Sequence, residues 1–256
     1  EGLTVFRDQT FTSDLHSEST KRIEDVAFLR NYQFLEDAGP TSHAVKPIEY
    51  VSIDNFYTTT IYEKGAELIR MLYTLLGKKA FIRGIKLYAK RFDGFAATTE
   101  DFLTAIYDGA SEIKPKLDFD INQFSHWYYQ PGTPEVYLYR EWDSQQGQLT
   151  LNVTQNLSSQ DKILDKEPLV IPLSIAALTH DGKVNQEKLL IIDKPHQKFL
   201  IDNLPKDKET PILSLFRNFS APVKWKSDLS EDELFSLFRF DDDKFSRWNS
   251  CQYLMC

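Results

Sequence analysis

The chain has 256 residues, of which 41% are hydrophobic and 27% are charged, and its formal net charge is −8. This length and composition are typical of a globular protein with one large domain or two smaller ones. The acidic balance, with no basic run, argues against a nucleic-acid surface. No apolar run approaches the roughly 20 residues that a membrane-spanning helix requires, so we expect no membrane span.

The first half of the chain is predicted to be mostly helical. Residues 34–55 are predicted to form a long loop, because this stretch contains Gly39, Pro40 and Pro47; a loop of this length is usually functional or disordered. Gly77 ends one helix, and Thr98 with Asp101 forms a capping-box pattern at the start of another. Helical periodicity predicts helices over residues 1–11, 18–31, 61–76, 78–91, 102–110 and 121–130.

After the Pro131-Gly132-Thr133-Pro134 stretch the periodicity changes to two, which is typical of strands. Six or seven short strands over about 85 residues predict a small antiparallel sandwich. From Pro222 the pattern becomes helical again, with a capping box at Ser230 and Glu233, a helix through residue 240 and another from residue 243. The strands are predicted near residues 136–138, 149–153, 169–178, 188–192, 198–202 and 212–216.

The most informative stretch covers residues 54–67, DNFYTTTIYEKGAE. Thr60, with Glu63 three residues later, predicts a capping box that places Tyr62 in the first helical turn. A phenol at a helix start is well placed to donate to a developing oxyanion. Judged from the pattern alone, such a tyrosine more often packs against neighbours such as Ile61. Glu63 and Lys64 are predicted to lie on the solvated or hydrogen-bonding side of the helix.

Several short motifs occur in order along nearly the whole chain. They are EGLTVFRDQ at residues 1–9, NFY and YEKG within residues 55–65, RFDG at 91–94, QPGTP at 130–134 and FRNFSAPV at 216–223. Together these motifs resemble the zinc aminopeptidase N (M1) family, in its bacterial and protozoan alanyl branch.

This resemblance implies a multidomain α plus β fold. Residues 1–132 would form the C-terminal helical part of a thermolysin-like catalytic domain. Residues 133–221 would form an Ig-like antiparallel β-sandwich, and residues 222–256 the first helices of a C-terminal α-helical domain. The chain would then be a fragment of a longer enzyme.

The resemblance also implies a zinc site that this chain alone does not complete. Family members bind zinc through a His-Glu-x-x-His helix and a later glutamate, which Glu1 matches. None of the five histidines has His-x-x-x-His spacing, and a catalytic zinc site needs about three protein ligands. We expect one zinc ion in the intact parent, no zinc bound by this fragment, and no peptide hydrolysis by it.

The family's site residues can be carried over to this sequence. Tyr62 would be catalytic, donating its hydroxyl to the oxyanion, and Glu1 would bind the metal. Tyr57 and Asp54 would line the pocket for the first side chain of the substrate, although Asp54 is equally interpreted as a turn or cap residue. Asp8, two helical turns after Glu1, would orient a metal-bound histidine from the second shell, or form a surface salt bridge.

The function implied for the parent is hydrolysis of N-terminal residues from peptides with a free N-terminus, by a monomer. A non-catalytic scaffold on the same fold is the alternative, although a scaffold needs neither Glu1 nor Tyr62. The epoxide-hydrolase branch is disfavoured, because its members lack the sandwich. Cys251 and Cys256 are poorly spaced for a disulfide, which favours a reducing compartment, so we expect a soluble, cytoplasmic protein.

Overall fold

The computed structural model describes residues 1–156, 166–179, 184–202, 204 and 209–255. The described part combines a helical half, two sheets and a closing helical pair, which is the α plus β architecture expected. The helices are α1 (Gly2–Leu15), α2 (Glu18–Phe28), α3 (Phe34–Ala38), α4 (Gly65–Leu76), α5 (Lys78–Phe92), α6 (Thr99–Ser111), α7 (Ile121–Tyr129), α8 (Glu231–Phe240) and α9 (Lys244–Met255).

Helix α2 does not end near residue 31 as predicted. It continues through a π-helical turn, Leu29–Gln33, directly into α3. Phe34 and Asp37 are buried there, so tertiary packing keeps this segment helical, and the predicted loop over 34–55 was wrong at its start. A 3₁₀ turn, Ile53–Phe56, also interrupts the end of that loop.

A second π-helical turn, Thr60–Lys64, precedes α4 and carries Tyr62 at its centre. The predicted capping box at Thr60 was wrong, because Thr60 is fully buried and its hydroxyl accepts a hydrogen bond from Gln33 Nε2 at 3.2 Å. Thr58 caps the turn instead, with its Oγ1 accepting from the Ile61 N–H at 3.2 Å. Glu36 assists by accepting from the Thr60 N–H at 3.3 Å.

The signals predicted to start or end other helices were confirmed. Gly77 ends α4 with φ of 79°, a left-handed conformation that favours glycine. Thr98 and Asp101 form the expected capping box of α6, and Ser230 and Glu233 form that of α8. These signals depend on neighbours in sequence, which is why the pattern alone finds them.

The strands form two sheets, ordered β5-β2-β1-β7 and β4-β3-β6. All pairs are antiparallel except β1 with β7. Strand β7 lies where a helical pattern was predicted from Pro222, and that prediction was wrong for these four residues: Trp225 faces inward while Lys224 and Lys226 remain outside. The strands are β1 (Glu135–Asp143), β2 (Gln148–Asn156), β3 (Ile171–Leu178), β4 (Val184–Ile192), β5 (His196–Ile201), β6 (Ile212–Leu215) and β7 (Lys224–Ser227).

Polar contacts join the helical half to the sheets and to α9. The Trp127 indole N–H donates to the Val170 carbonyl at 2.8 Å. The Arg30 guanidinium lies over four aromatic rings at 5.1 to 5.8 Å, those of Phe219, Trp225, Phe245 and Trp248. These contacts fix the helical half, and the turn that bears Tyr62, against the rest of the described structure.

Two sequence-based expectations concern the membrane and the cysteines. None of the helices described is both long enough and apolar enough to cross a membrane. Cys251 has a free thiol in α9, and Cys256 lies outside the described residues, so the expectation about this pair stays a prediction.

Candidate active site

A contact between two glycines brings Glu1 to Tyr62. Helix α1 begins directly after Glu1 and crosses the start of α4 at Gly2 and Gly65. A Cβ atom built on Gly2 would lie 2.4 Å from the carbonyl carbon of Gly65, closer than any real side chain allows. The absence of a side chain at Gly2 therefore permits the close approach that places Glu1 beside the turn carrying Tyr62.

The Tyr62 side chain is partly exposed and interacts with the Glu1 carboxylate. Desolvation raises the pKa of Tyr62 above its ordinary value, and the negative charge of Glu1, the neighbouring Tyr57 and a hydrogen bond to Glu1 raise it further. The phenol therefore remains protonated at neutral pH. A protonated hydroxyl can donate a hydrogen bond, which is the property that an oxyanion donor needs.

Tyr57 stacks on Tyr62, with ring centroids 6.2 Å apart and planes inclined by 28°. Its side chain is 71% exposed, so one face of the ring is available to a ligand. Tyr57, Tyr62 and Glu1 thus lie together on one exposed surface. We call these three residues the Glu1–Tyr62 surface.

Asp54 lies three residues before Tyr57 in the 3₁₀ turn and is exposed. Its carboxylate makes no hydrogen bond or ion pair with another described residue. The backbone N–H of Ser52 donates instead to Asn55 Oδ1 at 2.9 Å, so Asn55 stabilises the start of this turn. The structure therefore assigns no local capping role to the Asp54 carboxylate.

Asp8 is exposed on α1. No ion pair joins it to any residue in the described ranges, so the surface salt bridge considered from the sequence is not found there. Its charge is one contribution to the environment of Glu63. Desolvation raises the pKa of Glu63, and the charges of Asp25, Glu67 and Asp8 add to this rise. That Asp8 orients a metal-bound histidine stays a prediction.

The turn around Tyr62 is anchored at both ends by buried polar groups that the sequence did not reveal. Thr60 contacts Gln33, as described above. Lys64 is 1% exposed and forms an ion pair with Asp37 at 2.9 Å, so it is not on a solvated side of the helix. It also donates to the Gly132 carbonyl at 2.9 Å.

Farther along α4, Glu67 forms a buried bidentate ion pair with Arg22, at 2.6 and 2.7 Å. Arg22 also donates to the carbonyls of Asn218 at 3.0 Å and Phe219 at 2.8 Å. Burial alone would raise the pKa of Glu67, but Arg22 more than offsets this, so the pKa lies below its ordinary value. The helix after Tyr62 is thereby fixed to α2 and to the turn before β7.

A metal could use Glu1 as one ligand. Its carboxylate is exposed at the start of α1 and offers the hard oxygen donor that zinc accepts. Within the described part of the chain, no group of three or more His, Cys, Asp and Glu side chains lies together as a metal site would require. Glu1 therefore fits as one member of a ligand set and not as a complete site.

Comparisons with known proteins identify the family. A model of the peptidase family M1 domain matches residues 1–128, and a model described as a domain of unknown function with an Ig-like fold (DUF3458) matches residues 132–228. The chain belongs to peptidase family M1. The resemblance found in the sequence and the expected fold class are both confirmed.

Individual relatives agree with this assignment. Aminopeptidase N of Haemophilus influenzae is 41% identical and that of Caulobacter vibrioides is 43% identical; each match covers 99% of this chain but only 29% and 28% of the relative. The crystal structure of Legionella pneumophila aminopeptidase A in complex with aspartic acid has a TM-score of 0.82 at 28% identity, covering 100% of this chain and 27% of that one. The chain thus spans less than a third of the length of these relatives. Aminopeptidases of the family are generally zinc metallopeptidases that act on peptides.

Proposed function

We propose that the whole protein is a zinc-dependent aminopeptidase that removes N-terminal residues from peptides. In this proposal the present chain supplies one zinc ligand, one oxyanion donor and part of the pocket for the first side chain of the substrate. The observation that carries the proposal is the position of the Tyr62 hydroxyl beside the Glu1 carboxylate on an exposed surface. A packing role for Tyr62 would instead bury that hydroxyl among apolar side chains.

Glu1 would hold the metal through its carboxylate, and the remaining ligands would come from outside the described residues. When bound, zinc supplies a Lewis acid that polarises the scissile carbonyl and lowers the pKa of the attacking water. Tyr62 donates its O–H to the carbonyl oxygen as that oxygen becomes negative. Because the phenol keeps its proton at neutral pH, this donor is ready before the substrate arrives.

Tyr57 would offer a flat apolar wall to the first side chain of the substrate, since one of its faces is free. Asp54 would add a negative charge near that pocket and favour a first residue with a cationic side chain, lysine or arginine. This preference is proposed because the Asp54 carboxylate is exposed and has no ion-pair partner among the described residues. Asp8 would not contact the metal itself but would orient one of its histidine ligands.

Three further features of the whole protein stay proposals: a single bound zinc ion, a monomeric state and a cytoplasmic location. The chain alone is proposed to bind no zinc tightly and to hydrolyse no peptide, because one carboxylate does not form a zinc site.

The test is the Tyr62→Phe variant of the whole protein, assayed with alanyl and lysyl chromogenic substrates. We expect turnover to fall by about 10²–10³-fold, the usual effect of losing one oxyanion donor, with unchanged zinc content. Tyr73→Phe, which alters a tyrosine of α4 that packs against Phe6 and Phe81, is the matched control and should retain nearly full activity.

Two outcomes would contradict the proposal. A loss smaller than about threefold in Tyr62→Phe would reduce Tyr62 to a packing residue, since an oxyanion donor is worth far more. No hydrolysis of either substrate by the zinc-loaded wild-type whole protein would favour the alternative, a non-catalytic scaffold on the same fold.

A further inference from the structure

The Lys64 ammonium lies at the end of the π-helical turn that carries Tyr62 and is shielded from solvent. Its side chain is 1% exposed, and so is that of its ion-pair partner Asp37. A buried ammonium is strongly unfavourable unless charged and polar partners surround it. Here Asp37 Oδ2 and the Gly132 carbonyl oxygen both accept from Lys64 Nζ, each at 2.9 Å.

These contacts join three separate segments of the chain. Lys64 precedes α4, Asp37 lies in α3, and Gly132 belongs to the link that leads into β1. Thr133, the next residue of that link, donates its hydroxyl to the same Asp37 oxygen at 2.9 Å. We call Lys64, Asp37, Gly132 and Thr133 the Lys64 clasp.

The other end of the same turn is fixed from the same direction. Thr60 is fully buried and accepts from Gln33 Nε2, and Gln33 lies one helical turn before Asp37. Tyr62, between these two anchors, is itself partly exposed; its ring stacks on Tyr57 and its hydroxyl interacts with Glu1. The backbone on either side of Tyr62 is thus held by buried contacts, and this backbone sets the position from which the phenol extends.

The position of an oxyanion donor must be accurate, because a displacement of about 1 Å can cost about 100-fold in rate. We propose that Lys64 is a positioning residue: through its ion pair with Asp37 and its hydrogen bond to Gly132, it holds the π-helical turn so that the Tyr62 hydroxyl meets the scissile carbonyl. This inference rests on the proposed aminopeptidase function and assigns to it a residue that does not touch the substrate.

The competing explanation is that the Lys64 clasp contributes only to folding. A double-mutant cycle in the zinc-loaded whole protein separates the two, because residues that act through one another are not additive. Lys64→Met should lower kcat by about 10- to 100-fold and change KM by less than about threefold. In the Tyr62→Phe background the same substitution should lower kcat by less than about threefold.

Two further variants separate positioning from stability. Lys64→Met combined with Asp37→Leu removes both charges, and replacing a buried ion pair by apolar residues often restores stability. We expect this double variant to regain the thermal midpoint of the wild type but not its kcat. Lys114→Met removes an exposed lysine that pairs with Asp118, and it should leave kcat unchanged.

Amide hydrogen exchange of the whole protein gives a readout that does not depend on activity. In Lys64→Met, peptides covering residues 58–66 should exchange faster, while those covering α6 should not change. Lys114→Met should alter neither region.

Each failure has a distinct meaning. An equal kcat loss on the wild-type and Tyr62→Phe backgrounds, full recovery of kcat in the Lys64→Met/Asp37→Leu variant, or unchanged exchange over residues 58–66 would each overturn the positioning role. Failure of the proposed function would be visible earlier, as an inactive wild type or a fully active Tyr62→Phe variant, before any change at Lys64.

Discussion

The turn that carries Tyr62 and the loop that carries Asp54 and Tyr57 lie next to each other but are held in opposite ways. The first has buried polar contacts at both ends, Thr60 with Gln33 and Lys64 with Asp37. The second is exposed along residues 48–55, with Ile48 and Val51 at 89% and 100% exposure. The contrast matches the two tasks proposed: an oxyanion donor needs one fixed position, whereas a pocket that receives different side chains can adapt.

π-Helical turns are rare and often occur at functional sites. Here the turn at Thr60–Lys64 packs against the other π-helical turn, Leu29–Gln33, and the hydrogen bond from Gln33 to Thr60 joins them. Stability and site geometry therefore depend on the same few buried contacts, while residues 48–55 of the loop supply no buried side chain.

The largest effect on stability is expected at Arg22. Arg22→Met removes the bidentate partner of the buried Glu67 carboxylate, which keeps the longer ion pair with Arg70 Nε at 3.7 Å. It also removes the donors to the carbonyls of Asn218 and Phe219, two residues with left-handed φ of 51°. We expect the free energy of unfolding to fall by about 3–5 kcal/mol, measured by urea denaturation. Arg91→Met, which breaks an exposed pair with Asp108, should cost less than about 1 kcal/mol. Equal losses in the two variants would contradict the importance given to buried anchors.

The Lys64 clasp should make stability depend on acid pH. Burial alone would raise the pKa of Asp37, but Lys64 and the hydrogen bonds from neighbouring side chains more than offset this, so its pKa lies below its ordinary value. The contribution of Asp37 is therefore complete above the unfolded-state pKa of about 3.9 and is lost as the pH falls through the folded-state value. The difference in unfolding free energy between wild type and Asp37→Asn should be about 3 kcal/mol at pH 7 and should shrink below about pH 4. A difference independent of pH would argue against the ion pair.

A smaller effect is expected from Gly2→Ala. The added methyl group would overlap the Gly65 carbonyl, so α1 must move away from the start of α4. We expect a loss of about 1–3 kcal/mol, as for other overpacked sites, measured by thermal denaturation. Thr4→Ala, at an exposed position two residues away on the same helix, is the control and should stay within about 0.5 kcal/mol of wild type. A fully stable Gly2→Ala variant would show that the glycine contact does not fix Glu1 beside Tyr62.

The exposed loop should show the smallest stability effects but a change in selectivity. Asp54→Asn should alter the unfolding free energy by less than about 0.5 kcal/mol. In the whole protein it should lower the ratio of kcat/KM for a lysyl over an alanyl substrate by about two- to fivefold, the size expected for a partly exposed charge pair. An unchanged ratio would remove Asp54 from the pocket.

Much of the fold could be predicted from the sequence because its signals are local. The capping boxes at Thr98 and Ser230 and the glycine at the end of α4 depend on residues within four positions of one another. The alternating pattern of β1 and β2 likewise reflects one buried face. Strand β7 could not be predicted in this way, since only its parallel pairing with β1 makes four residues a strand.

The residues of the candidate site show the same division between signals that are local in sequence and contacts that are not. Tyr62 and Glu1 were found because short motifs resemble those of a known family. The Gly2–Gly65 contact, the burial of Lys64 and the helical continuation into α3 were not found, because each depends on residues more than 25 positions apart in sequence. A lysine within a helix start is usually solvated, and nothing in the neighbouring residues indicates that Asp37 and Gly132 will enclose it.

The placement of the Tyr62 hydroxyl beside the Glu1 carboxylate is tested most directly by an NMR titration of Tyr62 in this chain, with ¹³C at the ζ carbon of tyrosine and assignment by the Tyr62→Phe variant. The Glu1 carboxylate raises the pKa of a phenol beside it, so Glu1→Gln should lower the titration midpoint of Tyr62. Asp14→Asn, on the same helix but at its far end, should leave the midpoint unchanged. An identical midpoint in wild type and Glu1→Gln would mean that the phenol and the carboxylate do not share one site.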